Sequence, residues 1–138
     1  MSFQAEKALV RTHYDALAKA TPETVAEAAS IVAEHAVSRE PLRPCGSTLS
    51  PNGIGFCQDK GCMVNMALCD RVVSVGSDRV VVEAGARVEQ VLEALAPHGL
   101  TLENLASIAA QQIGGFEQVG AHGTGASLPP VDEQVLEY

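Results

Sequence analysis

The sequence predicts a fold of mixed helices and strands, either α/β or α+β. Three observations carry this prediction: a helical repeat at residues 21–37, short β-branched runs at residues 71–75 and 79–84, and a second helical face at residues 88–95. The elements follow one another as helix, strand, loop, strands, helix, loop, without an internal repeat. A chain of 138 residues is long enough for one domain with a buried core.

The first clear element is an amphipathic helix from Thr21 to about Val37. Thr21, Pro22 and Glu23 combine a hydroxyl cap, a proline at the first helical position and an acid in the first turn. Small apolar residues then recur at helical spacing and predict the face that packs on a sheet: Val25, Ala28, Ala29, Val32 and Ala36. Residues 1–20 are interpreted as a partly helical arm, with one face formed by Phe3, Val10, Tyr14 and Leu17.

Strands are predicted at residues 41–45, 63–66, 71–75 and 79–84 from their β-branched and apolar residues and the turns between them. The helix that follows has an apolar face formed by Val88, Val91, Leu92 and Leu95, and Pro97-His98-Gly99 ends it. Short apolar pieces come next, then a glycine-rich loop. The tail at residues 127–131 is predicted to be extended because its two prolines disfavour a helix.

Composition excludes several functions. The net charge of −8 leaves no basic stripe for nucleic acid and no attraction to an anionic membrane surface. No apolar run is long enough to cross a bilayer. The cysteines at 45, 57, 62 and 69 are irregularly spaced and are interpreted as small buried or half-buried thiols. A zinc site with Cys57, Cys62 and a histidine is the alternative, but no metal is predicted.

Two glycine-bearing loops are the candidates for ligand binding. Gly46 to Ser50 follows a predicted strand, and its backbone N–H groups and hydroxyls suit a phosphate or pyrophosphate. Five glycines between Gly114 and Gly125 allow close approach to a flat ring. Ordinary turn chemistry explains such loops equally well. Neither loop matches the dinucleotide-binding or P-loop fingerprint, so a nucleotide fold of those types is not supported.

Catalytic groups are not evident. His122 lies inside the second loop, and we interpret it as a histidine that holds the loop through a backbone hydrogen bond rather than as a general base. Asp132 and Glu133 are adjacent on a segment predicted to be extended, so they face opposite sides and form no catalytic pair. No catalytic residue is therefore assigned.

At these loops the sequence resembles the aldonolactone oxidoreductases, and within them the plant-type galactonolactone dehydrogenases. The matching stretches are residues 49–55, 99–108 and 111–134, including His122-Gly-Thr-Gly-Ala. The resemblance implies an α+β fold, a partial FAD-binding domain of the vanillyl-alcohol-oxidase type with the first α/β lobe and part of the second. It divides the chain into an arm at residues 1–20 and a truncated FAD-binding domain at residues 21–138.

The resemblance also implies which residues lie near FAD. Leu49 stands where members with covalent flavin have histidine, which implies a non-covalent flavin. Ala106 stands where oxidases have glycine or proline, which implies the dehydrogenase branch. Thr48 replaces a glycine of the family and is a departure that puts flavin binding in doubt. The implied cofactor-binding residues are Gly46, Ser47, Thr48, Leu49, Ser50, Ala106, Ser107, Gly114, Gly115, His122, Gly123 and Thr124.

The family's lactone-binding glutamate and arginine have no counterpart in this chain. We therefore predict a non-catalytic accessory or structural subunit, in which FAD binding is optional or lost. The resemblance implies a mitochondrial location, with association to the membrane through protein partners in the membrane arm of respiratory complex I. The alternative is an FAD-dependent aldonolactone dehydrogenase of ascorbate biosynthesis, present as a fragment or completed by another chain.

Overall fold

The computed structural model of the chain describes residues 19–50, 55, 57 and 61–138. The chain divides into two compact units, Met1–Cys69 and Asp70–Tyr138. The predicted arm falls almost wholly outside the described residues, including the helical face formed by Phe3, Val10, Tyr14 and Leu17.

A three-stranded parallel sheet forms the centre of the first unit. The strands are β1 (Lys19–Ala20), β2 (Leu42–Cys45) and β3 (Cys62–Asn65), in the order β1-β3-β2. Met63 and Val64 of the central strand are both buried, and since neighbouring residues point to opposite faces, both faces of the sheet are covered there. The predictions for β2 and β3 are confirmed. Strand β1 was not predicted, because its pairing partner lies far along the chain.

Helix α1 (Val25–Ser38) connects β1 to β2, but it begins later than predicted. Thr24 is the N-cap residue, in an extended conformation, and its hydroxyl accepts a hydrogen bond from the Glu27 N–H at 3.2 Å. The prediction that Thr21 caps the helix is wrong. Pro22 is buried outside the helix, and its carbonyl accepts a hydrogen bond from the Cys69 thiol at 3.4 Å.

The predicted packing face of α1 is also wrong, except at Ala28. Val25 and Val32 are 68% and 54% exposed, and none of the residues of this described helix is buried. Of the predicted face only Ala28 is half-buried. The other half-buried residues are Ile31 and His35, which the prediction did not include. Small apolar residues occur around most of α1, so periodicity did not identify the stripe that packs.

The second unit begins with an antiparallel hairpin of β4 (Val72–Val75) and β5 (Val80–Val82), followed by α2 (Val88–Leu95). Ala86, Val91 and Leu95 form a core cluster with four partly buried hairpin valines, at positions 72, 75, 80 and 82. A 3-10 turn at Ala96–His98 follows, and Gly99 ends it with a φ of 68°. These elements confirm the two predicted strands with a turn between them, the predicted helix and its predicted end.

A short helix, α3 (Ile113–Gln118), lies inside the stretch that the sequence predicted to be a loop. Phe116 is fully buried and packs in a second cluster with Val88, Ala121 and Val131. The loop prediction is therefore wrong for residues 114–118. The prediction of an extended tail at residues 127–131 holds at Pro130 but is wrong at both ends of that range. Ser127 lies in a turn, with a hydrogen bond from the Leu128 N–H to the Gly125 carbonyl at 3.2 Å. Asp132 and Glu133 lie in a 3-10 turn, Val131–Gln134, rather than on an extended segment.

Two further observations concern metals and membranes. Among the described residues, His, Cys, Asp and Glu form no group of three or more that could hold a metal ion. Cys57 and Cys69 are buried and Cys45 and Cys62 half-buried, as predicted for small packed thiols. In the described part of the chain, no helix is long and apolar enough to cross a membrane.

Candidate functional site

The glycine-rich stretch begins with a close contact between α3 and the end of the hairpin. The Gly114 N–H donates a hydrogen bond to the Ala84 carbonyl at 2.9 Å, and the Ile113 N–H donates one to the Ala86 carbonyl at 2.7 Å. A Cβ atom on Gly114 would lie 3.0 Å from the Cβ of Ala84. Tertiary packing within the second unit therefore favours glycine at position 114, independently of any contact with a ligand.

The loop after α3 lies against the segment that contains Ala106 and Ser107. Gly120 has a φ of 60°, which turns the chain out of the helix. A Cβ atom on Gly123 would lie 2.5 Å from both Asn104 Oδ1 and the Leu105 carbonyl oxygen. The backbone at Gly123 thus packs directly on residues 104–105, with no space for a side chain. This contact brings two stretches of predicted site residues, 106–107 and 122–124, to the same region of the second unit.

The polar side chains of this region face solvent. Ser107, His122 and Thr124 are exposed, while Ala106 and Gly123 are half-buried. His122 Nδ1 lies 2.8 Å from the Gly123 carbonyl oxygen, which is the backbone hydrogen bond that the sequence interpretation anticipated. One side of the loop is packed on protein and the other carries hydrogen-bonding groups. This arrangement fits a ligand with polar edges laid on the surface of the loop.

Gly46 to Ser50, the other candidate loop, belongs to the first unit and follows β2 directly. Gly46 is fixed by a hydrogen bond from Asn65 Nδ2 to its carbonyl oxygen at 3.3 Å. Thr48 has a φ of 54°, a left-handed conformation that is uncommon for a β-branched residue. Its hydroxyl donates a hydrogen bond to the Ser47 carbonyl at 2.8 Å.

Left-handed residues occur in the backbone nests that bind anions through consecutive N–H groups. Thr48 therefore keeps a conformation that glycine adopts without strain, although it carries a side chain. The backbone conformation of the loop is compatible with phosphate binding. The strain at Thr48 arises because a threonine stands where the family has glycine.

Asn104 is the residue of this region to which sequence reasoning gave no role. It is only 5% exposed, and its side chain bonds to the backbone at both Gly123 and Pro129. The signal available in the sequence was a single amide residue between apolar Leu102 and Leu105. That pattern does not identify the partners, which lie 19 and 25 residues away.

A second polar contact in the unit joins α3 to the last residue of the chain. The Tyr138 hydroxyl donates a hydrogen bond to the buried Glu117 carboxylate, which also accepts one from Gln118 Nε2 at 2.8 Å. The hydrogen bond to Glu117 raises the pKa of the Tyr138 hydroxyl above its ordinary value. This contact satisfies a carboxylate that packing has taken out of water.

Comparison with known proteins gives matches over nearly the whole described chain. Residues 16–138 match a protein family described as FAD binding domain. The chain is 54% identical over 117 residues to mitochondrial L-galactono-1,4-lactone dehydrogenase of Brassica oleracea, and the match covers 83% of this chain and 19% of that relative. The chain therefore spans about a fifth of the length of the curated relatives that it matches.

Solved structures resemble the chain in fold. An alkyldihydroxyacetonephosphate synthase superposes with a TM-score of 0.68 at 16% identity, covering 76% of this chain and 22% of that chain. A cholesterol oxidase of Brevibacterium sterolicum superposes with a TM-score of 0.64 at 25% identity, covering 76% and 21%. The predicted fold class is confirmed: an α+β, partial FAD-binding domain of the vanillyl-alcohol-oxidase type.

Proposed function

The chain belongs to the FAD-binding domain family, and we propose that it is the flavin-binding N-terminal segment of an FAD-dependent aldonolactone dehydrogenase. The observation that carries the proposal is the 54% identity to a protein named L-galactono-1,4-lactone dehydrogenase, over 83% of this chain. This alternative now has more support than the accessory role that we placed first from the sequence.

The residues of both loops fit the cofactor. Gly123 packs on Asn104 and Leu105, and this leaves the polar groups of His122 and Thr124 on the open side of the loop. In the first unit, the backbone conformation at Thr48 is one that anion-binding nests use. A bound FAD would supply the electron-accepting ring for oxidation of a lactone, while these residues bind and orient it.

We further propose that the flavin is held without a covalent bond and that the reaction is a dehydrogenation. Leu49 has no nucleophilic atom that could form a bond to the flavin, and it is half-buried beside Thr48. Ala106, also half-buried, stands where the oxidases of the aldonolactone oxidoreductases carry glycine or proline. Its methyl group would narrow the path by which oxygen reaches the flavin. No residue of the chain is assigned a role in holding the lactone.

The test is a titration of the purified 138-residue chain with FAD, followed by quenching of flavin fluorescence. We expect saturable binding, and acid precipitation should release all of the flavin into the supernatant because no covalent bond holds it. An absence of saturable binding would contradict the proposed function. Flavin that remains with the precipitated protein would contradict only the non-covalent attachment.

A second candidate is the accessory role in mitochondrial respiratory complex I, which the exposed apolar residues of α1 favour. Val25, Val32 and Val37 are 68%, 54% and 86% exposed, and such residues are suited to contact with a protein partner. The relative's name supports a mitochondrial location. Co-migration with complex I on a native gel of mitochondrial membranes would support this role, and migration as a small free protein would contradict it.

A further inference from the structure

Asn104 is a buried side chain that holds two separate backbone segments. It is 5% exposed. Its Oδ1 accepts a hydrogen bond from the Gly123 N–H at 2.9 Å, and its Nδ2 donates one to the Pro129 carbonyl at 3.0 Å. An asparagine amide offers an acceptor and a donor on one planar group, and both are used here.

The position of Gly123 depends directly on this amide. A Cβ atom at Gly123 would lie 2.5 Å from Asn104 Oδ1 and 2.5 Å from the Leu105 carbonyl oxygen. The loop therefore approaches residues 104–105 as closely as backbone atoms allow, and the hydrogen bond from Gly123 to Asn104 fixes the distance. Ala106 and Ser107 follow Leu105 immediately, while His122 and Thr124 flank Gly123.

We propose that Asn104 is a positioning residue for flavin binding: its side chain fixes residues 122–124 relative to residues 106–107. The inference rests on the proposed function, because those two stretches are among the residues assigned to FAD in the second unit. Asn104 itself is buried beneath the loop and acts through the backbone of Gly123 rather than by touching the ligand.

The amide chemistry explains why asparagine suits this position. Leucine has a similar volume but would leave the Gly123 N–H and the Pro129 carbonyl without their partner. Aspartate keeps an acceptor for Gly123 but, when ionised, has no hydrogen to donate to Pro129. Loss of the Gly123 bond should loosen the loop, whereas loss of the Pro129 bond should mainly lower stability.

The experiment compares FAD binding by the wild-type chain with binding by Asn104→Ala, Asn104→Asp and Gln134→Ala. Gln134 is the matched control, because its Oε1 accepts a hydrogen bond at 3.2 Å from the N–H of Glu103, the residue before Asn104, whereas the Gly123 N–H is bonded to Asn104. Three quantities are measured for each protein: the FAD dissociation constant, the visible circular dichroism of bound flavin and the midpoint of thermal unfolding without FAD. The visible dichroism reports the flavin environment, which a purely structural role would leave unchanged.

We expect Asn104→Ala to weaken FAD binding by about tenfold or more and to change the visible dichroism, since one buried hydrogen bond that positions the loop is lost. Gln134→Ala should lower the unfolding midpoint while FAD binding and the flavin spectrum stay as in the wild type. Asn104→Asp should be less stable than the wild type but should keep its flavin spectrum.

The results distinguish a failure of the proposed function from a failure of the positioning role. If the wild type does not bind FAD, the proposed function fails and the positioning role fails with it. If the wild type binds FAD and Asn104→Ala binds equally well with the same spectrum, or if Gln134→Ala weakens binding as much as Asn104→Ala, the positioning role is overturned while the proposed function stands. If Asn104→Ala does not fold, Asn104→Leu, which keeps the side-chain volume and loses both hydrogen bonds, takes its place. Weaker FAD binding with an altered flavin spectrum then supports the positioning role, and wild-type binding with the wild-type spectrum overturns it.

Discussion

Gly114 donates a backbone hydrogen bond to Ala84 at a point where the two backbones approach too closely for a side chain on residue 114 to fit without a shift. The Gly114 N–H lies 2.9 Å from the Ala84 carbonyl oxygen, and a Cβ atom on Gly114 would lie 3.0 Å from the Cβ of Ala84 and 3.1 Å from its oxygen. Ala84 presents only backbone and Cβ atoms here, so it has no flexible side chain that could move aside. The first turn of α3 is therefore fixed against the end of the β4–β5 hairpin.

This contact predicts opposite effects for the same substitution at neighbouring positions. Gly115→Ala, at an exposed position of the same helix, should stabilise the protein by about 0.5–1 kcal/mol through helix propensity. Gly114→Ala should instead destabilise it by about 1 kcal/mol or more, because the added methyl group overpacks the contact with Ala84. Urea unfolding of both variants measures the difference. Equal stabilisation by the two substitutions would contradict the contact.

The strain at Thr48 predicts that glycine improves the first loop. The left-handed conformation costs a residue with a side chain about 1–2 kcal/mol, and glycine avoids this cost but loses about 0.5–1 kcal/mol of backbone entropy on folding. Thr48→Gly should thus raise the free energy of unfolding by up to about 1.5 kcal/mol and bind FAD more tightly than the wild type. Thr48→Val, which keeps the β-branch and loses the hydroxyl bond to Ser47, is the control and should not improve either property.

The start of α1 predicts which threonine contributes to stability. Thr24→Ala should destabilise the protein by about 1 kcal/mol, because the hydroxyl that accepts the Glu27 N–H is lost. Thr21→Ala should have little effect, since Thr21 lies outside the helix and is exposed. Chemical denaturation of the two variants distinguishes the observed N-cap from the one expected from the sequence pattern. A larger loss for Thr21→Ala would contradict the observed helix start.

The ion pair between Arg71 and Glu83 predicts a pH dependence of stability. Arg71 Nη2 lies 2.6 Å from Glu83 Oε1, and the Arg71 N–H donates to Glu83 Oε2 at 2.9 Å. The hydrogen bond from the Arg71 side chain holds the pKa of the Glu83 carboxyl below its ordinary value of 4.5. The lowered pKa contributes stability above pH 4.5, and this contribution is lost as the pH falls through the lowered pKa.

The measurement is the thermal unfolding midpoint of the wild type and Arg71→Ala between about pH 7 and 3. As the pH falls through the acidic part of this range, the unfolding midpoint of the wild type should decrease more than that of Arg71→Ala. Arg79→Ala is the control in the same hairpin, since Arg79 pairs with Asp78 and both side chains are more than half exposed. Its profile should stay close to that of the wild type. Parallel profiles for the wild type and Arg71→Ala would contradict the role of the pair.

Sequence reasoning succeeded where local pattern and tertiary packing agree. The face of α2 is a clear case: Val88, Val91 and Leu95 recur at helical spacing and are all buried. It failed for α1, where Val25 and Val32 match the same spacing but are exposed. The difference is that α2 has one apolar stripe, whereas α1 carries small apolar residues around most of its surface, and only contacts with other elements select one stripe.

The sequence by itself determined the order of the main strands and helices, the helix end at Gly99 and, through its family resemblance, the FAD-binding fold. These depend on spacing and residue types within short windows. Only the tertiary structure decided that α3 interrupts the glycine-rich stretch and that Asn104 holds Gly123, because the partners at Ala84 and Asn104 lie 30 and 19 residues away along the chain. A hydrogen bond or a close contact between residues so far apart produces no periodic pattern in the sequence. The two residues of each contact meet only when the chain has folded.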